Sequence, residues 1–252
     1  MRERLAATGK RFYCICFSAR CGSTLLCDDL AQWGLGSPNE YFQLLPGTPV
    51  DNLGEKVLEV VEQTPGRFFG FKISWQQMYE LTRRLERERE PGVTLDLRTV
   101  FPELRFVRMV RRDKVAQAVS SWRAESSQVW HWPVGTDVDP GRPEYDFDAV
   151  KERFLQFVAE DWLWESHFEE LGVRPLVVCY EDYLGHRSTH LRAIADYLGA
   201  DVGRAHLATR LNVMRDGWTE QMVERASADL RAPYQPDWVA RRQPAPSEPL
   251  GG

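Results

Sequence analysis

Four short apolar segments, each followed by a helical pattern, constrain the fold of this chain more than any other feature. The segments cover residues 12–18, 68–73, 105–110 and 175–180. They are only a few residues long and rich in β-branched or aromatic side chains, which is typical of buried strands. Alternating strands and helices build a parallel sheet with helices on both faces. The sequence therefore predicts an α/β fold with a central, mostly parallel sheet flanked by helices.

Capping residues and helix breakers predict where the helices begin and end. Ser74 and Gln77 have the spacing of a capping box, in which each side chain bonds the other residue's backbone N–H. Asp113 is placed to cap the helix that follows the third strand. Other helical patterns cover residues 23–33, 147–171 and 188–198, with one more within 210–231; the helix after Ser74 runs to about residue 90, and residues 134–144 form a loop.

The length of 252 residues fits one domain with a sizeable core. We expect this domain to span residues 1–232. Residues 233–252 are rich in proline and poor in apolar periodicity, so they are expected to form a partly disordered tail.

Charge and hydropathy exclude several classes of protein. With 32 basic and 37 acidic residues, the net charge of -5 disfavours nucleic-acid binding through overall charge. No apolar run approaches the roughly 18 residues of a membrane-spanning helix, and the charged residues 1–11 do not resemble a secretion signal. We therefore expect a cytoplasmic protein without a nucleic-acid partner or a membrane span.

The cysteines argue against both a disulfide framework and a zinc site, because their number is odd and no Cys-x-x-Cys spacing occurs. They are Cys14, Cys16, Cys21, Cys27 and Cys179. No other cluster of metal-ligand spacing is visible, so no bound metal is expected.

The polar segment between the first strand and the first helix has the features of an anion-binding loop. It reads Ser-Ala-Arg-Cys-Gly-Ser-Thr over residues 18–24. Backbone N–H groups at the start of a helix bind anions, and Gly22 lets a ligand approach the backbone closely. Arg20 adds a positive charge, and Ser23 and Thr24 add hydroxyl donors. An ordinary strand-to-helix turn with an arginine at its rim is the alternative.

Two common nucleotide-binding motifs are absent from this loop. It lacks the first glycine and the Gly-Lys pair of the phosphate loop found in magnesium-dependent ATPases and kinases. It also lacks the Gly-x-Gly-x-x-Gly pattern of dinucleotide-binding folds. ATP chemistry is therefore disfavoured, and a nicotinamide cofactor is not expected.

A second candidate anion site follows the third strand. Arg111 and Arg112 stand at the strand end, and Ser120 lies two turns along the next helix. Arginine binds phosphate through paired hydrogen bonds, so two anion sites at neighbouring strand ends predict a nucleotide with two phosphate groups. A salt-bridged surface helix is the alternative for this segment.

Taken together, these segments resemble the sulfotransferase superfamily, and within it the bacterial trehalose sulfotransferase family. Residues 18–24 are similar to the family's 5′-phosphosulfate loop, and residues 111–123 are similar to its 3′-phosphate segment. Residues 36–43 (GSPNEYFQ) resemble the stretch that carries the family's catalytic glutamate. The resemblance covers about residues 12–198 in element order, and it implies the P-loop-like sulfotransferase fold.

The resemblance implies transfer of a sulfuryl group from 3′-phosphoadenosine 5′-phosphosulfate (PAPS) to a hydroxyl group, without a metal. The acceptor would be a saccharide or another small metabolite, with trehalose the first compound to try, and the protein would be a homodimer. Glu40 would act as general base on the acceptor hydroxyl, and Arg20 would assist catalysis. The residues assigned to the donor are Ser18, Arg20, Cys21, Gly22, Ser23, Thr24, Arg111, Arg112 and Ser120.

Two positions depart from the family's pattern. Cys21 stands where a serine is usual, and the helix N-terminus is expected to lower the pKa of its thiol. Arg112 replaces the proline that usually follows the family's arginine, so either Arg111 or Arg112 could hold the 3′-phosphate.

Other residues are assigned to the site by their position. Lys72 ends the second strand at the edge where ligands bind in open α/β sheets, so it is assigned to the bridging oxygen or the sulfuryl group. A structural salt bridge is the alternative. Arg215 and Trp218 are expected to close over the nucleotide, with Trp218 beside the adenine. The residues assigned to the acceptor are Glu40, Trp75, Trp130 and His131, although the aromatic residues of segment 130–132 could instead pack in a core or an interface.

Two other functions stay open at this stage. One is a small-molecule kinase with an atypical phosphate loop, which would require ATP and magnesium. The other is a nucleotide-binding protein that has lost the reaction. The presence of both Arg20 and Glu40 places this last alternative third.

Overall fold

The computed structural model describes residues 1–43, 53–87, 96–201, 207–208, 210 and 215–232. The predicted tail, 233–252, and the predicted end of the helix near residue 90 lie outside the described residues.

The strands form one parallel sheet, as predicted from the sequence. They are β1 (Arg11–Phe17), β2 (Phe68–Ser74), β3 (Arg105–Val110) and β4 (Leu176–Cys179). Their order across the sheet is β2-β1-β3-β4, and every neighbouring pair is parallel. Because β1 lies between β2 and β3, the loop after β1 is flanked by both neighbouring strand ends.

The predicted helices are present with small differences at their ends. The described helices are α1 (Arg2–Ala7), α2 (Ser23–Gln32), α3 (Leu53–Gln63), α4 (Trp75–Arg87), α5 (Leu97–Val100), α6 (Lys114–Ser127), α7 (Phe147–Glu170), α8 (Tyr180–Gly185), α9 (Arg187–Leu198) and α10 (Gly217–Arg231). The capping box at the start of α4 is confirmed, and the Asp113 side chain caps α6 through the Ala116 N–H at 2.8 Å.

Four described helices were not predicted from the sequence: α1, α3, α5 and α8. Three of them have only four to six residues, too few to show a period. Helix α3 has a readable signal, since Val57, Leu58 and Val61 follow helical spacing and are buried.

Alternate side chains of β1 build the two halves of the core. Cys14 and Cys16 point to the face covered by α3, α4 and α7. Tyr13, Ile15 and Phe17 point to the opposite face, which α2 and α9 cover. All five side chains are buried. Successive residues of a strand face opposite sides, so this burial on both faces explains the nearly continuous apolar sequence of β1.

Buried ion pairs hold the helices that frame the carboxyl edge of the sheet. Asp29 of α2 is fully buried and accepts hydrogen bonds from Tyr183 at 2.5 Å and from Arg187. On the other face, Asp161 of α7 accepts from Arg108 of β3 at 2.6 Å and pairs with Lys114 of α6 at 2.5 Å. A buried charge is tolerated only when it is paired, so these contacts fix α2 to α8 and α9, and fix α7 to both β3 and α6.

Candidate active site

The carboxyl ends of β1, β2 and β3 open into one cavity of about 650 Å³. Parallel strands end at the same edge, so the loops that follow them surround a common space. The lining residues that the sequence did not predict include Gln43, Ser74, Gln77, Arg123, Trp132, Tyr180 and Thr219. The predicted residues that line it are Arg20, Gly22, Ser23, Thr24, Glu40, Lys72, Arg111, Ser120, Trp130, His131 and Arg215.

The loop after β1 presents backbone N–H groups at the first turn of α2. Gly22 is the N-cap residue and adopts φ +90°, in the left-handed region that favours glycine. A Cβ atom on Gly22 would lie 2.4 Å from the Tyr180 ring, so only glycine leaves room for that ring. The helix N-terminus and the absent side chain together make an open cradle for an anion.

Arg20 connects this loop to two other parts of the cavity wall. Its Nε donates to the Ser120 hydroxyl at 3.0 Å, and its Nη1 donates to the Trp130 carbonyl at 2.5 Å. The two predicted anion-binding segments are therefore in direct contact, although they lie about 100 residues apart in the chain.

The structure distinguishes between the two adjacent arginines. Arg111 is buried, lines the cavity, donates to the Arg20 carbonyl at 3.1 Å and lies 4.9 Å over the Tyr180 ring. Arg112 is exposed and forms a paired contact with Asp182 at 2.7 and 2.9 Å. Arg112 is not among the residues that line the cavity. Arg111 is therefore the one of the two arginines whose side chain could reach an anion in the cavity.

The segment that carries Glu40 extends along the outer edge of the sheet. Asn39 pairs with Phe71 of β2 in a parallel bridge, and its carbonyl accepts from the Lys72 N–H at 3.0 Å. This pairing brings the Glu40 carboxylate beside Lys72, with Oε1 at 2.9 Å from Nζ. Lys72 Nζ also donates to the Thr24 hydroxyl at 3.1 Å. Lys72 therefore connects the carboxylate to the anion-binding loop.

The pKa values of Glu40 and His131 are both shifted from their ordinary values. Burial by itself would raise the pKa of the Glu40 carboxyl, but the Lys72 ammonium and hydrogen bonds from Lys72 and Gln77 together hold it below its ordinary value. Desolvation lowers the pKa of His131, and the positive charges of Lys72 and Arg20 lower it further. At neutral pH the cavity therefore holds an ionised carboxylate beside a neutral imidazole.

Two residues of the predicted phosphate loop lie beneath it instead of facing the cavity. Cys21 is fully buried, and burial raises the pKa of its thiol, so the expectation of a lowered pKa is wrong. Ser18 is also buried, and its hydroxyl has no hydrogen-bond partner among the described residues. Neither side chain lines the cavity.

Two predicted tryptophans also lie elsewhere. Trp75 packs its ring edge to face with Trp164, at 5.3 Å between centroids, and does not line the cavity. Trp218 stacks on Trp122 at 5.8 Å, while the Arg123 guanidinium covers it at 4.7 Å. Trp218 does not line the cavity, and its ring packs against these two residues.

Arg123 and Thr219 join α6 to the start of α10 at the cavity wall. Arg123 Nη1 donates to Thr219 at 2.8 Å, and the guanidinium bonds both Asp216 oxygens at 3.1 Å. The pKa of Asp216 falls to about 2, since hydrogen bonds from Thr219 and Arg123 outweigh the effect of its partial burial. The Asp-x-x-Thr spacing at 216–219 is a sequence signal for the cap of α10, in which Asp216 accepts from the Thr219 N–H at 2.8 Å, but it does not indicate the contact with Arg123.

The described residues contain no group of three or more His, Cys, Asp or Glu side chains suited to holding a metal ion. In the same part of the chain, no helix has the length and apolar character needed to cross a membrane.

Comparisons with known proteins agree on one family. The family model described as Stf0 sulphotransferase matches residues 46–229. Trehalose 2-sulfotransferases from Mycolicibacterium smegmatis and Mycobacterium tuberculosis are each 27% identical, over alignments that cover 86% and 84% of this chain and 96% and 94% of theirs.

Two solved structures are also similar to this chain. A sulfotransferase from Alicyclobacillus acidocaldarius aligns with a TM-score of 0.49 and 14% identity, covering 88% of this chain and 95% of that chain. The sulfotransferase domain of the Synechococcus PCC 7002 olefin synthase aligns with a TM-score of 0.41 and 18% identity, covering 86% and 94%. The matched family model covers most of the chain, so the chain belongs to the Stf0 sulphotransferase family and is a sulfotransferase.

Proposed function

We propose that the enzyme transfers the sulfuryl group of PAPS to a hydroxyl of a saccharide, with Glu40 as general base. The observation that carries the proposal is the shared cavity: the Glu40 carboxylate faces the same space as the anion-binding loop, connected to it through Lys72 and Thr24. A base and a sulfuryl donor must meet at one acceptor oxygen, and this arrangement supports that requirement.

The donor-side residues fit a nucleotide with two anionic groups. Gly22, Ser23 and Thr24 present backbone and hydroxyl donors at the α2 N-terminus, which suits the 5′-phosphosulfate. Arg111 and Ser120, from β3 and α6, suit the 3′-phosphate. When bound, PAPS supplies an activated sulfuryl group with a good leaving group. Arg20 stands between the two sets of residues and can neutralise charge toward either.

Glu40 and Lys72 have complementary roles in this proposal. A neutral alcohol is a poor nucleophile, and a carboxylate within hydrogen-bond reach can accept its proton. The lowered pKa keeps Glu40 ionised at neutral pH. Lys72 is only 6% exposed and lies 2.9 Å from Glu40, so it holds a fixed positive charge where negative charge develops.

The acceptor side of the cavity is aromatic and polar, which favours a saccharide. Trp130, His131 and Trp132 line it, and the Trp132 Nε1 donates to the Thr136 carbonyl at 3.1 Å, which orients the ring. Aromatic rings pack well against the apolar faces of sugars while their polar edges meet water. Because two relatives are named trehalose 2-sulfotransferases, trehalose is the first acceptor to test.

Calorimetric titration with adenosine 3′,5′-bisphosphate, run beside ATP with magnesium, tests the donor assignment. We expect the bisphosphate to bind and ATP with magnesium to bind far more weakly. Binding of ATP alone would overturn the PAPS assignment and favour the kinase alternative.

The variant Glu40→Gln tests the base. It keeps the shape of the side chain but cannot accept a proton, so kcat should fall on the order of 10²–10⁴-fold while bisphosphate affinity stays close to that of the unmodified enzyme. Glu152→Gln is the matched control, because Glu152 is an exposed α7 carboxylate outside the cavity. Near-normal turnover of Glu40→Gln would remove Glu40 from the mechanism.

A further inference from the structure

Gln77, at the start of α4, is hydrogen-bonded to Glu40, whereas the sequence identified it only as a member of the capping box. Its Nε2 donates to Glu40 Oε2 at 2.7 Å, and both residues line the cavity. We infer that Gln77 is a positioning residue for sulfuryl transfer: it orients the Glu40 carboxylate and must be an amide to do so. This inference rests on the proposed role of Glu40 as general base.

The capping box fixes which end of the Gln77 amide faces Glu40. Gln77 Oε1 accepts from the Ser74 backbone N–H at 2.9 Å, and a backbone N–H can only donate. The amide oxygen is therefore held by the backbone, and the NH₂ group is left for Glu40. The Gln77 backbone N–H donates in return to the Ser74 hydroxyl at 3.3 Å. The capping box therefore fixes the orientation of the Gln77 amide, so that its NH₂ group points to Glu40.

Glu40 is held at both of its oxygens. Oε1 pairs with Lys72 at 2.9 Å, and Oε2 accepts from Gln77 at 2.7 Å. These partners come from adjacent elements, β2 and α4, and Met78 and Leu81 bury the inner face of α4 in the core. Two fixed donors on one carboxylate restrict its rotation and leave its other lone pairs for the acceptor hydroxyl.

The helix cap alone does not explain why residue 77 is glutamine. A glutamate closes a capping box as well as a glutamine does, because either side chain can accept from the N-cap backbone N–H. The difference appears only at Glu40, where a carboxylate at position 77 would place two negative charges in hydrogen-bond contact. Among the described residues, the charged and titratable groups around Glu40 are Lys72 from β2, His131 from the loop after α6 and Cys27 from α2.

The test compares Gln77→Glu with Gln77→Met in the full-length enzyme. Gln77→Glu keeps the cap but adds a like charge, so kcat should fall at least about tenfold and the acidic limb of the kcat profile should move to higher pH. Methionine is neutral, so Gln77→Met loses only the hydrogen bonds of the amide. The acidic limb of its kcat profile should therefore move less than that of Gln77→Glu. Both variants should bind adenosine 3′,5′-bisphosphate as the unmodified enzyme does, because Gln77 does not contact the donor loop.

A variant that lacks a different helix cap distinguishes a purely structural role of Gln77 from a role in positioning Glu40. Asp146→Ala removes the cap of α7, in which Asp146 accepts from the Ala149 N–H at 3.0 Å, and neither residue lines the cavity. It should lower the denaturation midpoint and leave the pH profile unchanged. If Gln77→Glu and Gln77→Met likewise leave the profile unchanged, Gln77 is a helix cap only and the inference is overturned.

The Glu40→Gln background distinguishes failure of this inference from failure of the proposed function. If Gln77 acts through Glu40, adding Gln77→Glu to Glu40→Gln should lower kcat no further, since the two changes remove one interaction. A full additive loss would overturn the positioning role while the base assignment stands. Near-normal turnover of Glu40→Gln alone would instead overturn the base assignment.

Discussion

Replacing Gly22 by alanine tests whether the anion-binding loop needs a residue without a side chain. Gly22 has φ +90°, and a Cβ there would lie 2.4 and 2.8 Å from two carbons of the Tyr180 ring. The ring cannot move freely, because the Arg111 guanidinium lies 4.9 Å over it. The substitution therefore combines an unfavourable backbone conformation with a steric clash.

The cost of Gly22→Ala can be worked from these two contributions. The left-handed conformation costs an alanine about 1–2 kcal/mol. Forcing one extra methyl group into a packed site costs about 1–3 kcal/mol more. Gly34→Ala is the matched control: Gly34 follows the other end of α2 at φ +73°, and its Cβ would meet nothing within 4 Å. Gly34→Ala should therefore show only the cost of the left-handed backbone conformation, without the steric cost.

Denaturant unfolding and calorimetric titration measure the two effects separately. The free energy of unfolding of Gly22→Ala should be about 1–3 kcal/mol lower than that of Gly34→Ala. Gly22→Ala should also bind adenosine 3′,5′-bisphosphate at least about tenfold more weakly than the unmodified enzyme does, which is a loss of about 1.4 kcal/mol in binding free energy. Gly34→Ala should bind the bisphosphate normally. Equal stability of the two variants, together with unchanged affinity of Gly22→Ala, would refute the argument that the loop geometry requires glycine.

Two further predictions concern charged residues of the cavity. Arg111→Ala should weaken bisphosphate binding at least about tenfold, whereas Arg112→Ala should not, because Arg112 pairs with Asp182 outside the cavity; equal losses would contradict the assignment. If Glu40 is the base, as proposed, its lowered pKa means that activity is lost only as pH falls through a value below the ordinary glutamate range. Lys72→Met removes the stabilising cation, so the acidic limb of kcat/KM should move to higher pH, and an unmoved limb would show that Lys72 does not control Glu40.

Local chemistry was predictable from the sequence, and contacts between distant residues were not. The capping box of Ser74 and Gln77 involves neighbours, so its spacing was enough to predict both hydrogen bonds. The same spacing gave no sign that the Gln77 amide would reach Glu40, which lies 37 positions earlier. That contact depends on the pairing of residue 39 with the edge of β2.

The aromatic residues show the same limit. Trp75 lies shortly after Lys72 in the sequence, and Trp218 lies shortly after Arg215. Their closeness to these predicted site residues led to the prediction that both tryptophans line the cavity. Their partners in the structure, Trp164 and Trp122, lie 89 and 96 positions away. A large apolar ring packs wherever it buries the most surface, and no local pattern records where that partner is. The burial of Cys21 is a similar case, because Cys21 belongs to a polar loop by sequence and to the core by packing.

The central position of β1 ties the completion of the site to the folding of most of the chain. β1 is the first strand of the sequence, yet its two neighbours, β2 and β3, follow at residues 68–74 and 105–110. Pairings of such long sequence separation form slowly, and a nascent chain has no binding cavity until α6 has been synthesised. Binding of the proposed nucleotide should consequently be linked to unfolding of the whole sheet. At a free nucleotide concentration of 100 times the Kd, the free energy of unfolding should rise by about 2.7 kcal/mol. Hydrogen exchange of the backbone amides in all four strands should slow accordingly.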